Sequence, residues 1–465
     1  MRILYFALLG ALAGCAVGPN YKAPQTATQS SFTRANQPGA TTNSPVVFWW
    51  RSFNDGGLDR LVDAAVATNT DLRIATANLR EARALRRLAN FDLGPTVTAN
   101  AGYANERLSK VNLPPGFPRN LEVYDAGFDA TWELDFFGRV RRSTEAARAQ
   151  AQSAEAARRD VLISVIAEVA RNYFELRGTQ HQLEVAIRNA TNQTETLHIT
   201  QLRLEGGRGT QFDVARARAQ LNLTLSLIPP LEAQIAKAIH RLSVLTGQQP
   251  GTLLETLSKP GPLPNAPELV ALGDPAQLLR RRPDVRVAER DLAAATARIG
   301  VQTADLFPRV TFVGQIGFQA ETFSGLTKAG GDTWSFGPRI TWAALDIGRV
   351  HARIKAAGAR AEALLANFDR TVLGALEETE NALVEWGREQ ARRDYLQQSA
   401  LASEEAAALA RQRYEVGAAD FLNVLDAERV LLEGQNQLAA SETRAATALV
   451  AVYKALGAGW EFEVK

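Results

Sequence analysis

Catalysis or metal binding in this chain would have to be assembled from four histidines, one cysteine and a glycine-rich pentapeptide. His181, His198, His240 and His351 are scattered through helical patterns, without the His/Cys/Asp/Glu spacing of a metal site. Gly206-Gly207-Arg208-Gly209-Thr210 lacks the lysine and the preceding strand of a phosphate-binding loop, so its glycines belong to a turn. Cys15 is the only cysteine, which excludes disulfides within the chain and thiolate metal clusters. No nucleophile stands beside a base, and the expectation is a protein that is not an enzyme and holds no metal. A formal net charge of +2 over 465 residues carries no nucleic-acid footprint.

Cys15 has another chemistry open to it. A basic Arg2, an apolar run from Ile3 to Leu12 and then Leu12-Ala13-Gly14-Cys15 read as a signal peptide over residues 1–14. Leu-Ala-Gly-Cys resembles the bacterial lipoprotein processing box, in which the cysteine becomes the lipidated amino terminus. Ala16, in place of an Asp that would favour the inner membrane, points to an outer-membrane address. Residues 15–47, rich in Pro, Thr, Ser, Gln and Asn, read as an extended lipidated tether.

The remaining charged residues with a recurring spacing belong to a duplication. RLEGGRGTQFDVARARAQLN from Arg203 matches RYEVGAADFLNVLDAERVLL from Arg413, aligning Arg203 with Arg413, Glu205 with Glu415 and Gly207 with Gly417, 210 residues apart. The same separation relates Trp132 to Trp342, Gly138-Arg139-Val140 to Gly348-Arg349-Val350, and Gly247 to Gly457. Two repeats of about two hundred residues follow, at 48–247 and 283–457, far longer than a solenoid period. They are joined by a Pro/Gly-rich linker, 248–282, and followed by a tail, 458–465. In each copy a Pro-free run reaches Arg-x-Glu-x-Gly, where glycine permits a left-handed C-cap. Asp213 or Asp420 then caps or charges the start of the next helix, making each copy the tip of a helical hairpin.

The elements that carry these tips change period within each repeat. Val97, Ala99, Ala101 and Tyr103 alternate with Thr96, Thr98 and Asn100; Tyr124, Ala126, Phe128, Ala130, Trp132 and Leu134 alternate with Asp125, Asp129, Thr131 and Glu133. The second repeat sets Val310, Phe312, Ile316 and Phe318, then Trp334, Phe336, Ile340 and Trp342, against polar neighbours. Four strands with one apolar and one polar face suit either a water-filled membrane barrel or an ordinary half-solvated sheet. A barrel needs about eight strands or more, so copies of the chain would have to share one. From Gly138 to Glu205 and from Gly348 to Glu415 nothing breaks the helix. Its seams, Leu162, Val165, Val169, Asn172, Leu176, Thr179, Leu183 and Leu365, Phe368, Val372, Ala375, Thr379, Ala382, Trp386, follow coiled-coil steps with small and polar interruptions. Pro229-Pro230 breaks the first return helix. The aromatics Phe48, Trp49, Trp50 and Phe53 are expected to pack, and Arg280-Arg281-Arg282 to form a solvated or salt-bridged surface.

Cys15 followed by Gly18-Pro19-Asn20-Tyr21, then Trp49-Trp50, Leu278-Leu279 before Arg281-Arg282-Pro283-Asp284, and the two tips together resemble the outer-membrane efflux-duct family of TolC-type channels. The similarity covers essentially the whole mature chain and is greatest to the lipoprotein branch serving resistance-nodulation-division pumps. The resemblance implies a mainly α fold with a small β part: a tandem-duplicated protomer whose homotrimer closes a 12-stranded outer-membrane β-barrel, continued by a long periplasmic α-helical barrel. It implies a passive exit duct for small molecules, a periplasmic membrane-fusion adaptor and an inner-membrane pump as partners, and no cofactor beyond the lipid on Cys15. By motif position, Leu422 and Asp426 would form the apolar and acidic rings of a periplasmic gate, a ring that should attract cations. Arg203, Gly207, Asp213, Arg413, Tyr414 and Gly417 would form the tips and adaptor contacts, with Tyr414 hydrogen-bonding the Asp213 carboxylate. Ala419 stands where some members carry a locking arginine, and Asn423 where others carry a second acidic ring. A duct for protein secretion, or a lipid-anchored periplasmic coiled-coil scaffold, are the competing readings. The scaffold leaves the alternating strands unexplained.

Overall fold

The computed structural model describes residues 16–34, 38–43, 46–267 and 269–461. Cys15 and residues 1–14 lie outside the described residues, as do 462–465 of the tail. In chain order the first repeat comprises β1 (Ala40–Thr41), α1 (Gly56–Thr68), α2 (Thr70–Phe91), β2 (Thr96–Arg107), β3 (Asn120–Leu134), α3 (Arg139–Glu205), α4 (Gln211–Leu225) and α5 (Ile228–Leu245). The linker contributes α6 (Leu254–Leu257), β4 (Val270–Ala271) and α7 (Pro275–Arg281). The second repeat contains α8 (Pro283–Ala304), β5 (Arg309–Ala320), β6 (Asp332–Thr341), α9 (Ile347–Glu415) and α10 (Phe421–Ala455).

Two compact units divide these elements. Among the described residues, the first takes those within 16–25, 77–155 and 287–370; the second takes those within 26–76, 156–286 and 371–461. In the first, β2, β3, β5 and β6 form one antiparallel sheet in that order. In the second, α1 docks through Leu58, Leu61, Val62 and Ala65, all buried. Asp55 caps that helix by accepting from Gly57 N (2.7 Å) and Leu58 N (2.9 Å). The aromatics pack as expected: Trp49 stacks on Tyr453 at 4.9 Å, and Phe53 meets Phe174 at 4.8 Å. The seams are interior from Leu162 to Leu176 and from Phe368 to Trp386, but not at the ends expected for them: Thr179 and Leu183 are only half-buried and Leu365 is 41% exposed. Their polar interruptions are satisfied by their own helices, Asn172 donating to Glu168 O (2.8 Å) and Thr379 to Ala375 O (2.8 Å).

Helix α3 spans 67 residues and α9 69. At 1.5 Å per residue each rises about 100 Å. The proline pair does what its chemistry demands: α4 stops at Leu225 and α5 restarts with prolines in its first turn, where no amide donor is needed. The equivalent positions in the second repeat are Ala439 and Ala440, and α10 runs through them unbroken.

Three further expectations change. The segment over 15–47 is not simply an extended tether, because Phe32 is buried and β1 pairs in parallel with β4, Ala40 opposite Val270. The arginine triplet is salt-bridged through Arg281 and Arg282, one of the two alternatives expected, but Arg282 is not on the surface: it is 8% exposed and donates to Asp284 (2.8 Å), Glu378 (2.7 Å) and Ala455 O (2.7 Å). Arg281 pairs with Glu461, and only Arg280 remains exposed. Asp420 occupies the N-cap of α10 without a side-chain capping bond.

Candidate membrane face and hairpin tips

Strand register decides which side chains share a face. Val97 lies opposite Ala130, which faces Gly314 and then Phe336; Ala99 lies opposite Phe128, then Ile316 and Trp334. One face of the sheet is therefore apolar across all four strands. It is also open: Phe128 is 57% exposed, Ile316 63%, and Trp334 and Phe336 68% each. An exposed apolar surface of this breadth is a place for another apolar phase, since no soluble sheet gains by leaving it in water. The opposite face carries Thr98, Asp129, Gln315 and Ser335 in one row and Thr96 with Thr131 in the next.

Repeat-related tryptophans finish the apolar face. Trp132 donates its indole N–H to Leu93 O and Trp342 to Leu306 O, each at 3.0 Å. Holding the polar end of an otherwise apolar ring on a backbone carbonyl suits a boundary between hydrocarbon and water. Beside Trp342 lies an ionic belt. Glu133 accepts from Arg139, and Asp305 pairs with Arg309 (3.2 Å) and Arg353 (3.4 Å).

The two tips in the second unit close by the same device. Arg208 N donates to Arg203 O and Gly207 N to Leu204 O; Ala418 N donates to Arg413 O and Gly417 N to Tyr414 O. This is a Schellman pairing in both copies, with Gly207 at φ 71° and Gly417 at φ 79°. A β-carbon would meet nothing within 4 Å at Gly207, and only the Arg203 side chain, at 3.7 Å, at Gly417. Alanine at either position therefore tests the backbone alone. Each substitution is expected to cost about 1–2 kcal/mol for forcing a β-carbon into the left-handed region. Faster amide exchange confined to that tip is the readout, and an unchanged tip would contradict the capping role.

The tips depart from the pairing that resemblance implied. Asp213 forms a capping box with Thr210, accepting from its hydroxyl at 2.7 Å, instead of meeting Tyr414. Tyr414 is buried against Phe421, lies beneath Arg203 at 4.3 Å, and its carbonyl accepts from the same arginine. The guanidinium of Arg413 stays exposed in the last turn of α9, where positive charge complements the helix dipole. Leu422 and Asp426 share an exposed face of α10, and Arg429 sits 3.0 Å from Asp426 on the same face. The Asp426 carboxylate, which the resemblance implied to be bare, is thus ion-paired with Arg429 of the same chain.

A further residue escaped the sequence reading. Glu428 is 3% exposed and accepts from Arg411 Nε (2.8 Å) and Thr196 Oγ1 (2.7 Å), linking α10 to α9 and α3. A signal existed: Glu428 falls in the helical phase of Phe421, Val424 and Leu431, all buried, where a carboxylate needs a partner.

Comparison with known proteins agrees with this arrangement. A profile of the family described as outer membrane efflux protein matches residues 61–248 and 275–458, one block in each repeat. The chain belongs to the outer membrane efflux protein family. The solvent efflux pump outer membrane protein SrpC of Pseudomonas putida is 33% identical, over 98% of this chain and 97% of that one. Nodulation protein T of Rhizobium leguminosarum bv. trifolii is 31% identical over 98% and 96%. Among solved structures, the outer-membrane channel OprN superposes with a TM-score of 0.90 at 41% identity, covering 96% of this chain and 100% of that one. This efflux protein is accordingly an outer-membrane channel and not an enzyme.

Proposed function

We propose that three copies of this efflux protein join their four-stranded sheets edge to edge into a 12-stranded barrel. They are anchored by a lipid on Cys15 and coupled through a periplasmic adaptor to an inner-membrane pump. The observation that carries the reading is the exposed apolar face spanning β2, β3, β5 and β6, with a polar face behind it and outer edges on β2 and β6. An open edge and a polar face are both costly in a membrane unless the sheet closes, and four strands are too few to close alone. The cargo is a set of small toxic molecules, in line with the solvent and antibiotic efflux named for relatives. Arg203, Arg413 and the tip glycines present the adaptor surface, with Tyr414 packed beneath Arg203 to hold it, and Leu422 with Asp426 narrows the periplasmic mouth.

Planar-bilayer conductance of the detergent-extracted protein tests this. The wild type is expected to show a small conductance, and Leu422→Ser/Asp426→Ser a sharply larger one, because the substitution removes both the apolar constriction and the Asp426–Arg429 pair. Conductance that is large and indifferent to the substitution would move the gate elsewhere. None from folded oligomers would reject the channel assembly.

A further inference from the structure

The residues directly after Cys15 are held by a built cradle. Val17 N donates to Phe137 O (3.1 Å), in the turn between β3 and α3. Arg142, on the first turns of α3 and 4% exposed, donates to the carbonyls of Val17 (3.1 Å), Gly18 (3.3 Å) and Ala16 (3.4 Å), and to Asn20 Oδ1 (2.7 Å). Its remaining nitrogen meets Glu145 at 2.8 Å. Tyr21 donates to Glu289 (2.7 Å), and Arg290 stacks over its ring at 5.4 Å.

The fit is close enough to dictate residue types. A β-carbon on Gly18, at φ 87°, would fall 2.5 Å from Gly300 Cα, and one on Gly138 would fall 2.5 Å from Ala16 Cα. The position equivalent to Arg142 in the second repeat is Ala352. The guanidinium is therefore present only in the repeat that receives the amino terminus. A planar fork of five donors suits several carbonyls at once, as a lysine point charge does not.

We propose that residues 16–21 are a docked strap, and that Arg142 is the positioning residue that fixes where the lipid-bearing amino terminus leaves the protein, beside Phe137 and Gly138 at the end of β3. The inference rests on the lipidation of Cys15 proposed above. A free tether would let the acyl chains explore a wide volume, whereas a docked strap delivers them next to the end of the apolar face. Anchor and sheet then meet one leaflet together, which raises the effective concentration of each at the bilayer.

The test is a nitroxide on Lys22→Cys in the full-length protein, read alongside incorporation of labelled palmitate. The wild type and Cys15→Ser are both expected to give an immobilised spectrum, because the strap is held by protein contacts and not by the lipid. In Arg142→Ala the docked-to-free ratio is expected to fall about tenfold or more, since each charge-assisted hydrogen bond lost is worth roughly that factor. Palmitate incorporation stays unchanged, and heat-modifiable oligomers in the outer membrane fall with the docked fraction. Asn20→Ala removes one acceptor and leaves the guanidinium its other partners, so it yields a smaller release and guards against a global folding defect in Arg142→Ala. A mobile label in the wild type, release by Cys15→Ser, or an unchanged spectrum in both Arg142→Ala and Asn20→Ala would overturn the strap. Absence of palmitate from the wild type would reject the anchor while leaving the docking result to stand on its own.

Discussion

Ile316→Arg is expected to prevent stable insertion of the channel, while Gln315→Arg, one residue earlier, leaves it intact. Ile316 lies at the middle of β5, opposite Phe128 and Trp334, on the exposed apolar face. Gln315 lies opposite Asp129 and Ser335 on the polar face. An arginine facing hydrocarbon at mid-depth costs a transmembrane barrel about 2–4 kcal/mol per copy, and a homotrimer would carry that cost three times over. An arginine at position 315 instead gains a water-facing site beside the Asp129 carboxylate. Heat-modifiable oligomers on unheated gels, and urea titration in liposomes, read the difference. Equal tolerance of both variants would mean that the apolar face does not meet lipid, and equal intolerance would mean that the sheet cannot accept charge on either side.

The second large effect concerns stability. Arg282→Met is expected to destabilise the second unit by about 2–3 kcal/mol, the upper range for lost hydrogen bonds to a charged group, because Asp284 and Glu378 keep 30% and 43% of their side-chain surface in water. Met fills much of the volume, so the loss is electrostatic: Asp284, Glu378 and the Ala455 carbonyl lose their donor together. Arg280→Met, at an exposed neighbour in the same triplet, should change stability by no more than about 0.5 kcal/mol. The pH dependence has a definite sign. Burial, and then the charge of Asp284, raise the pKa of Asp160 above the usual aspartate value, while Arg282 and Lys454 pull it back. Removing Arg282 raises it further. An acid whose folded pKa is raised opposes folding as it ionises, so the variant's deficit grows as pH rises from the folded pKa of Asp160 in the wild type to the higher one in the variant, and shrinks in acid. Thermal melts of the two variants at neutral and acidic pH check this; a deficit independent of pH would argue for lost packing instead.

Features that depend on local chemistry were legible in the amino-acid order. The 210-residue register, the glycine caps at Gly207 and Gly417, the break at Pro229-Pro230 and the alternation of Phe128 or Ile316 with polar neighbours all follow from the backbone preferences of a few adjacent residues. Because alternation puts every second side chain on one face, the apolar surface of the sheet was implied before any strand was paired. The sheet order β2-β3-β5-β6 then made it continuous.

Partner choice was not legible where it is settled by packing between residues far apart in the chain. The bond of Asp213 to Thr210 was legible in their local spacing, whereas the seat of Tyr414 between Phe421 and Arg203 was not. The triplet Arg280-Arg281-Arg282 reads as three equal charges until α7 and α8 turn one of them inward against Glu378 and Ala455. Residues 16–21 read as linker because their own composition buries little. Their order comes from Arg142, more than a hundred residues away, whose buried guanidinium must find acceptors and finds them in the strap. The amino-acid order alone therefore determined the turns, the periodicities and the duplicated plan. Tertiary structure alone decided which charges are buried and what each of them holds, since a buried charge is tolerated only where distant segments supply its partners.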